Sequence, residues 1–565
     1  KTFVDRENAY AFTILPELCA IKPSPKASSA ITTIDEFEEL SNNNWRASHA
    51  SAIVEAFEKV KDVCVAHNIN LSDKRFDRLV DGLMDHCEKL TDHELLKLLH
   101  LFSEYPSCDN ISSHNFHDVW SCLDDICCWK MGAWNVETMF TFANAWYKLN
   151  MGRICDYVFE MLDKMPQKAK RLSKTLLLYT FFHTNVCRKR SMDFELEHAL
   201  AERINQFSVD ELAVIAMGYF KTQSKVKLYP ILSAMIKKVT ENCDTIHEIC
   251  LTAILKTIRL SQHLETVDEI NLMLDKLTEQ VPRLSNLCLV HLALAGTSLQ
   301  LKHEASLARS TERIVADIEN IRLKDIERLL HANSMFNFES KPSFYEAAFA
   351  ELHKESRREE IIRYNRCLPC ALNYLSLRKI YSYKLMDEVL NEEYIHEVYG
   401  KTAKQLPREL FSLDACIDIE CPDYEGNRLT PLKKYKAAKW LTEYTPSHNQ
   451  WKRLSLADKF YLDVVEHVMR VAGGEHLLRS HHVLPHFSKS DVIVCKDRAS
   501  GRFVEPFGFE NYVLGDVMWP FSVEKYQWYA VVILTPNLTI RSTTSPLGSM
   551  VMKERQLKTL GYTPI

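Results

Sequence analysis

The sequence predicts a mainly α fold: an α-solenoid of helical-hairpin repeats, followed by a small α/β domain that is incomplete at its C-terminus. Three observations carry this. A segment with a polar start and an apolar continuation recurs at a near-constant interval. Glycine, which weakens helices, supplies only 14 of 565 residues. Near residue 490 the apolar pattern changes from helical spacing to short β-branched and aromatic runs.

Residues 1–45 read as an extended or linker segment, with Lys22-Pro-Ser-Pro-Lys-Ala-Ser-Ser29 as its clearest part. The first residue is Lys1, so a targeting peptide, if one precedes it, lies outside this sequence. The repeats occupy 46–345. Thr91-Asp-His-Glu94, Ser208-Val-Asp-Glu211 and Thr245-Ile-His-Glu248 each read as a capping box, Ser/Thr-x-x-Glu, ahead of an apolar helix. Leu284 to Ala293 and Ile321 to Leu330 continue the series with weaker caps. The first buried positions align as Leu212, Cys250, Leu289 and Ile326, in steps of 38, 39 and 37 residues. Earlier members fall at Leu95, Met139 and Leu176. One such hairpin cannot bury its apolar face alone, so neighbours must stack.

A helical region with a basic segment is expected over 346–475, with helices near 430–440 and 455–471, the last broken by Gly473-Gly474. The α/β domain is expected over 485–565. Its strands are Asp491 to Cys495, Tyr512 to Trp519 and Trp528 to Leu534, and its helix Leu547 to Leu560 is closed by Gly561.

Composition excludes several classes. The chain is 46% hydrophobic and 26% charged, as in ordered globular proteins. The net charge of -5 gives no global pull toward nucleic acid, so a polyanion site must be a local patch. No apolar run is long enough to span a membrane. The 17 cysteines, Cys122, Cys127, Cys250 and Cys288 among them, read as reduced, buried small hydrophobes. Cys367-Leu-Pro-Cys370 has no second pair at zinc-site spacing. There is no G-x-G-x-x-G and no Walker lysine loop, which sets kinase chemistry aside. His481, His482 and His486 lack acidic or Cys partners at ligand spacing and read as a plain loop.

Besides the solenoid's concave surface, since repeat proteins often read RNA one base per repeat, two places could carry function. Residues 428–453 hold Arg428, Lys433, Lys434, Lys436, Lys439, Lys452 and Arg453 against one acid, Glu443. Tyr435, Trp440, Tyr444 and Trp451 are interleaved. Cations neutralise phosphates and aromatics stack on unpaired bases, so this composition suits single-stranded RNA. It equally suits a solvated basic face whose aromatics turn into the core. The second place is the α/β domain. A metal-dependent nuclease needs carboxylates on adjacent strands to hold Mg²⁺ or Mn²⁺, and a lysine to steady charge at the phosphate. Asp516, the one candidate metal ligand, and Lys553 form half of such a catalytic site, and the strand between them carries no acid. Arg555 is a further candidate RNA contact.

The chain resembles the FAST kinase domain-containing proteins. Ile321 to Leu330 is similar to their first family-specific helical segment, Glu409 to Arg428 to the end of the second, and Leu547 to Tyr562 to the core of their closing RAP domain. The resemblance implies a mitochondrial matrix protein of RNA granules that binds single-stranded precursor mRNA, with other processing factors as partners. It implies a role in precursor processing, which in one branch of the family concerns junctions lacking a flanking tRNA. It implies a restriction-endonuclease-like fold for the RAP domain, whose usual strand reads approximately Glu-x-Asp-Gly-Pro. Here Val532-Ile-Leu534-Thr-Pro536 stands in its place, so both acids are gone. Three readings follow: an RNA-processing endoribonuclease, a non-catalytic RNA-binding adaptor or stability factor that presents RNA to another nuclease, and a protein–protein scaffold.

Overall fold

The computed structural model describes residues 3–18, 21, 30–188, 192–400, 406–449 and 453–565. Lys22–Ser29 and Lys452 lie outside the described residues. The chain forms two compact units, Lys1–Met273 and Leu274–Ile565.

In unit 1 a ladder of helices packs each on the next: α1 (Ala50–Ala66), α2 (Asp92–Glu104), α3 (Val136–Lys148), α4 (Lys174–Cys187), α5 (Val209–Lys221) and α6 (Glu248–Ser261). Helices such as Phe116–Lys130, Asp156–Lys168 and Tyr229–Glu241 alternate with them in a second layer. The aligned positions Leu95, Met139, Leu212 and Cys250 are buried, as the repeat required, and so are Cys122 and Cys127. The caps expected at Thr91 and Ser208 form as full capping boxes with Glu94 and Glu211. The cap expected at Thr245 does not. The Thr245 hydroxyl turns back to the Asn242 carbonyl, and His247 takes the cap position instead, its ring accepting from the Ile249 N–H.

Most ladder helices end on a signal that sequence reasoning missed. Asn68, Asn150, Arg188, Gln223 and Gln262 each adopt positive φ just after a ladder helix, and Gln300, Asn337 and Lys379 do so in unit 2. A residue in the left-handed region stops a helix and reverses the chain. Asn tolerates that region better than most non-glycine residues, so the loops turn without glycine.

Residues 1–45 also differ from the extended segment expected. Phe3–Ile14 is helical and packs across α4 and α5, and Ile34–Ser41 is a helix with a Thr33–Glu36 capping box. The leading helix explains α4, in which every residue from Leu176 to Cys187 is buried. A helix apolar on all sides must be covered on all sides.

Unit 2 holds α7 (Asn286–Leu294), α8 (Leu323–Met335), α9 (Cys367–Ser376) and α10 (Arg408–Glu420), in which α8 packs on α7, α9 on α8 and α10 on α9. Cys288, Leu289 and Ile326 are buried here. Next come α11 (Pro431–Thr442), α12 (Leu456–Ala472), five strands and α13 (Gly548–Leu560). The strands are β1 (Leu478–His481), β2 (Asp491–Asp497), β3 (Phe503–Val504), β4 (Tyr526–Val531) and β5 (Tyr562–Pro564). The sheet order is β1-β2-β4-β5, with β3 beside β2. All pairs are antiparallel except β4 with β5, which α13 joins as a crossover. One face of the sheet shares a core with α10 and α13 through Cys416, Ile419, Ile493, Trp528, Ala530 and Leu557. Its other face meets α12 at Val465, Val468 and Met469.

Thus α13 packs on α10, and the α/β domain is built onto the last helix of the ladder. The start of α13 also approaches α8 closely, which Gly548 permits: a Cβ there would lie 1.9 Å from the Ser334 carbonyl oxygen. The strand expected over 512–519 is absent. Gly515 has φ +108, the Asp516 carboxylate accepts from the Val513 N–H, and the segment is a turn.

Candidate nucleic-acid interface

Thr430 caps α11 by accepting from the Lys433 N–H, and Pro431 starts the helix where its missing N–H is harmless. Ala437 and Ala438 face inward. Tyr435, Lys436, Lys439 and Trp440 recur at helical spacing and are all exposed. Trp440 is 65% exposed and Tyr444, past the helix end, 47%, so these aromatics are not turned into the core. Lys436 and Lys439 have no carboxylate within ion-pairing distance among the described residues. Arg453 is exposed as well.

Other cations of the segment are engaged. Arg428 grips Asp414, which is fully buried, at 2.8 Å and also bonds Asp418, both on α10. Those carboxylates hold its guanidinium firmly charged. Lys433 pairs with Glu392. Lys434 lies 3.8 Å from Asp516 and 4.0 Å from Asp418.

The two halves expected of a catalytic site lie in different settings. Asp516 sits in the turn against α11, near Lys434. Lys553 is 2% exposed and pairs at 2.7 Å with Asp491, itself 1% exposed, at the start of β2. Its ammonium also donates to the Lys489 carbonyl at 3.1 Å and lies over the Phe487 ring. Burial pushes the Asp491 carboxyl above the usual range, and Lys553 opposes the rise. Beside them is a cavity of about 180 Å³ lined by Arg408, Tyr461, Lys489, Ser490, Thr535 and Lys553. Asp491 is the residue that sequence reasoning missed. It opens an apolar strand, and its partner stands 62 positions away.

Arg555 and Gln556 complete the polar docking of α13. Arg555 donates to Glu420 at 2.7 Å and to the Leu377 and Ser376 carbonyls. Gln556 bonds His486 at 2.9 Å and Glu420 at 3.3 Å. His486 thus lies in the loop between β1 and β2, as expected, but is buried in the core, and burial holds its imidazole down at about 3.

A two-acid metal centre does not fit these residues. Asp491 is sealed by Lys553, and Val532, Ile533 and Leu534 bring no acid. Among the described residues no group of three or more His, Cys, Asp or Glu could hold a metal ion. Nor is any described helix long and apolar enough to cross a membrane.

No family model matches the chain. The chain is similar to FAST kinase domain-containing protein 5, mitochondrial, from three mammals among others. It is 24% identical to that of Macaca fascicularis over 68% of this chain and 49% of the relative, and 23% identical to that of Homo sapiens over the same shares. With that of Mus musculus it shares 21% identity over 79% of this chain and 57% of the relative. The chain spans about half the length of the curated relatives it matches. Every match is named as mitochondrial, and the chain is accordingly a mitochondrial protein. On these matches the chain is similar to the FAST kinase domain-containing proteins.

Proposed function

We propose that this protein binds single-stranded mitochondrial RNA through α11 and acts in the maturation of precursor mRNA in the matrix. One observation carries the reading: Tyr435, Lys436, Lys439 and Trp440 share an exposed stripe of α11, with neither lysine in an ion pair among the described residues. Such a stripe offers charge to phosphates and rings to bases in one place. Arg453 extends it. Arg428 and Arg555 act differently, as the clamps that hold the segment 428–430 and α13 on α10.

Within this reading an RNA-binding adaptor is favoured over direct cleavage. Lys553 and Asp491 pair with each other, and no second acid joins them to form a metal-holding group among the described residues. Leu456, 85% exposed, and Phe460 at the start of α12 offer an apolar contact for a partner nuclease.

The test uses the purified chain, labelled precursor RNA, and Mg²⁺ or Mn²⁺ against EDTA. Binding should weaken steeply with salt, and Lys436→Glu with Lys439→Glu should lower that slope by about two. Affinity that ignores both salt and the two substitutions would remove α11 from the interface. Discrete metal-dependent cleavage lost in Asp491→Asn would replace the adaptor with an enzyme.

A further inference from the structure

The leading helix Phe3–Ile14 does more than cover α4. Its Glu7 is 1% exposed and accepts from Lys221 of α5 at 2.8 Å and from Lys256 of α6 at 3.1 Å. The Lys256 ammonium also lies over the Phe220 ring. Phe12 packs between Tyr147 and Phe182, at ring separations of 5.0 and 5.6 Å, with Lys148 over its face. Tyr10 stacks on His247 at 4.1 Å, and Asn8 accepts from Asn185 at 3.0 Å.

Beneath the helix the ladder forms a mixed polar and aromatic surface. Successive ladder helices present Tyr147 and Lys148, then Phe182 and Asn185, then Phe220 and Lys221, then His247 and Lys256. Each step brings a cation or amide together with a ring. That is the donor set of a single-strand groove, in which backbone phosphates meet ammonium groups and bases stack on rings. The largely buried Lys221 and Lys256 ammonium groups meet a shared anion here, and breaking such a buried pair is costly. Glu7 supplies that anion, and a phosphodiester offers the same two-oxygen acceptor.

We propose that this face of unit 1 is a single-stranded RNA groove and that the leading helix is its intramolecular competitor, with Glu7 in the place of a phosphate and Tyr10 and Phe12 in the places of bases. The proposal rests on the reading of the chain as an RNA-binding protein and adds a second surface, regulated by displacement of this helix. A binding-competent state that is only fractionally populated lowers apparent affinity by that fraction, so releasing the helix must raise it.

The experiment measures binding of labelled oligouridylate by fluorescence anisotropy, with the full chain and in a Lys436→Glu, Lys439→Glu background that silences α11. Glu7→Gln with Phe12→Ala should tighten binding about tenfold in both backgrounds. Adding Lys221→Glu and Lys256→Glu should abolish the gain. As a second variant, Asn8→Cys with Asn185→Cys locks the helix by a disulfide; oxidation should weaken binding and reduction restore it. Equal affinity of folded wild-type and released chains overturns the proposal, as does equal affinity of the locked and reduced chains. If α11 substitutions change nothing while release still tightens binding, the α11 reading falls and this one stands. Failure of every form to bind RNA overturns both.

Discussion

Helices α11 and α13 are both basic, and unit 2 treats their cations in opposite ways. On α11, Lys436 and Lys439 stand in solvent beside an exposed tryptophan. On α13, Lys553 is buried against Asp491 and Arg555 is half-buried against Glu420. The difference lies in neighbours that are remote in the chain. An exposed ammonium is free to meet a phosphate, whereas a buried one is bound by a specific acid and gives the helix its seat. Counting cations along a sequence therefore finds basic helices but not interfaces.

The comparison can be broken most sharply at Asp491. Asp491→Ala leaves Lys553 buried without its acid and should cost about 3–5 kcal/mol in chemical denaturation. Replacing both members with apolar residues of similar size should recover most of that loss. A cost near zero for the single change would mean that the pair is not sealed as described. Arg555→Ala should cost roughly 2–3 kcal/mol, because Glu420 retains donors from Tyr381 and Gln556. It should leave RNA affinity unchanged; a specific loss of affinity without loss of stability would return Arg555 to the interface.

Trp440→Ala should do the reverse: unchanged melting, with RNA binding weaker by about 1–3 kcal/mol, the range for one stacked base. A melting temperature that falls while affinity holds would make Trp440 a packing residue. The smallest effect concerns pH. His183 in unit 1 and His486 in unit 2 are fully buried, and burial holds each imidazole down at about 3. The unfolded chain then binds more protons than the folded one below about pH 6.5. This contribution to stability is whole above that pH and is lost as pH falls from 6.5 toward 3. Between pH 7.5 and 6 each histidine should account for under about 1 kcal/mol. Denaturation curves that coincide at those two pH values would contradict it.

The ladder was legible because its signals are local. Apolar spacing and a capping box act within one or two turns, and Thr91, Ser208 and the buried series Leu212, Cys250, Leu289 and Ile326 follow from them. The left-handed Asn and Gln closures were there to be read, but their regularity shows only once the helices are aligned. Thr245 failed because a motif offers a cap without compelling its use, and His247 began the helix two residues later. The 512–519 segment failed for a related reason. Its apolar residues suit a strand, yet Gly515 at positive φ turns the chain against α11.

By itself the sequence determined the helical ladder, the basic α11, the helix that became α13 and the absence of acids over 532–536. Each is set by neighbours along the chain. The tertiary structure alone decided which charges meet. Asp491 reaches Lys553 across 62 residues, Glu420 reaches Arg555 across 135, and Glu7 reaches Lys256 across 249. No local pattern encodes such pairs, because electrostatic partners are chosen by the packing that removes water from between them.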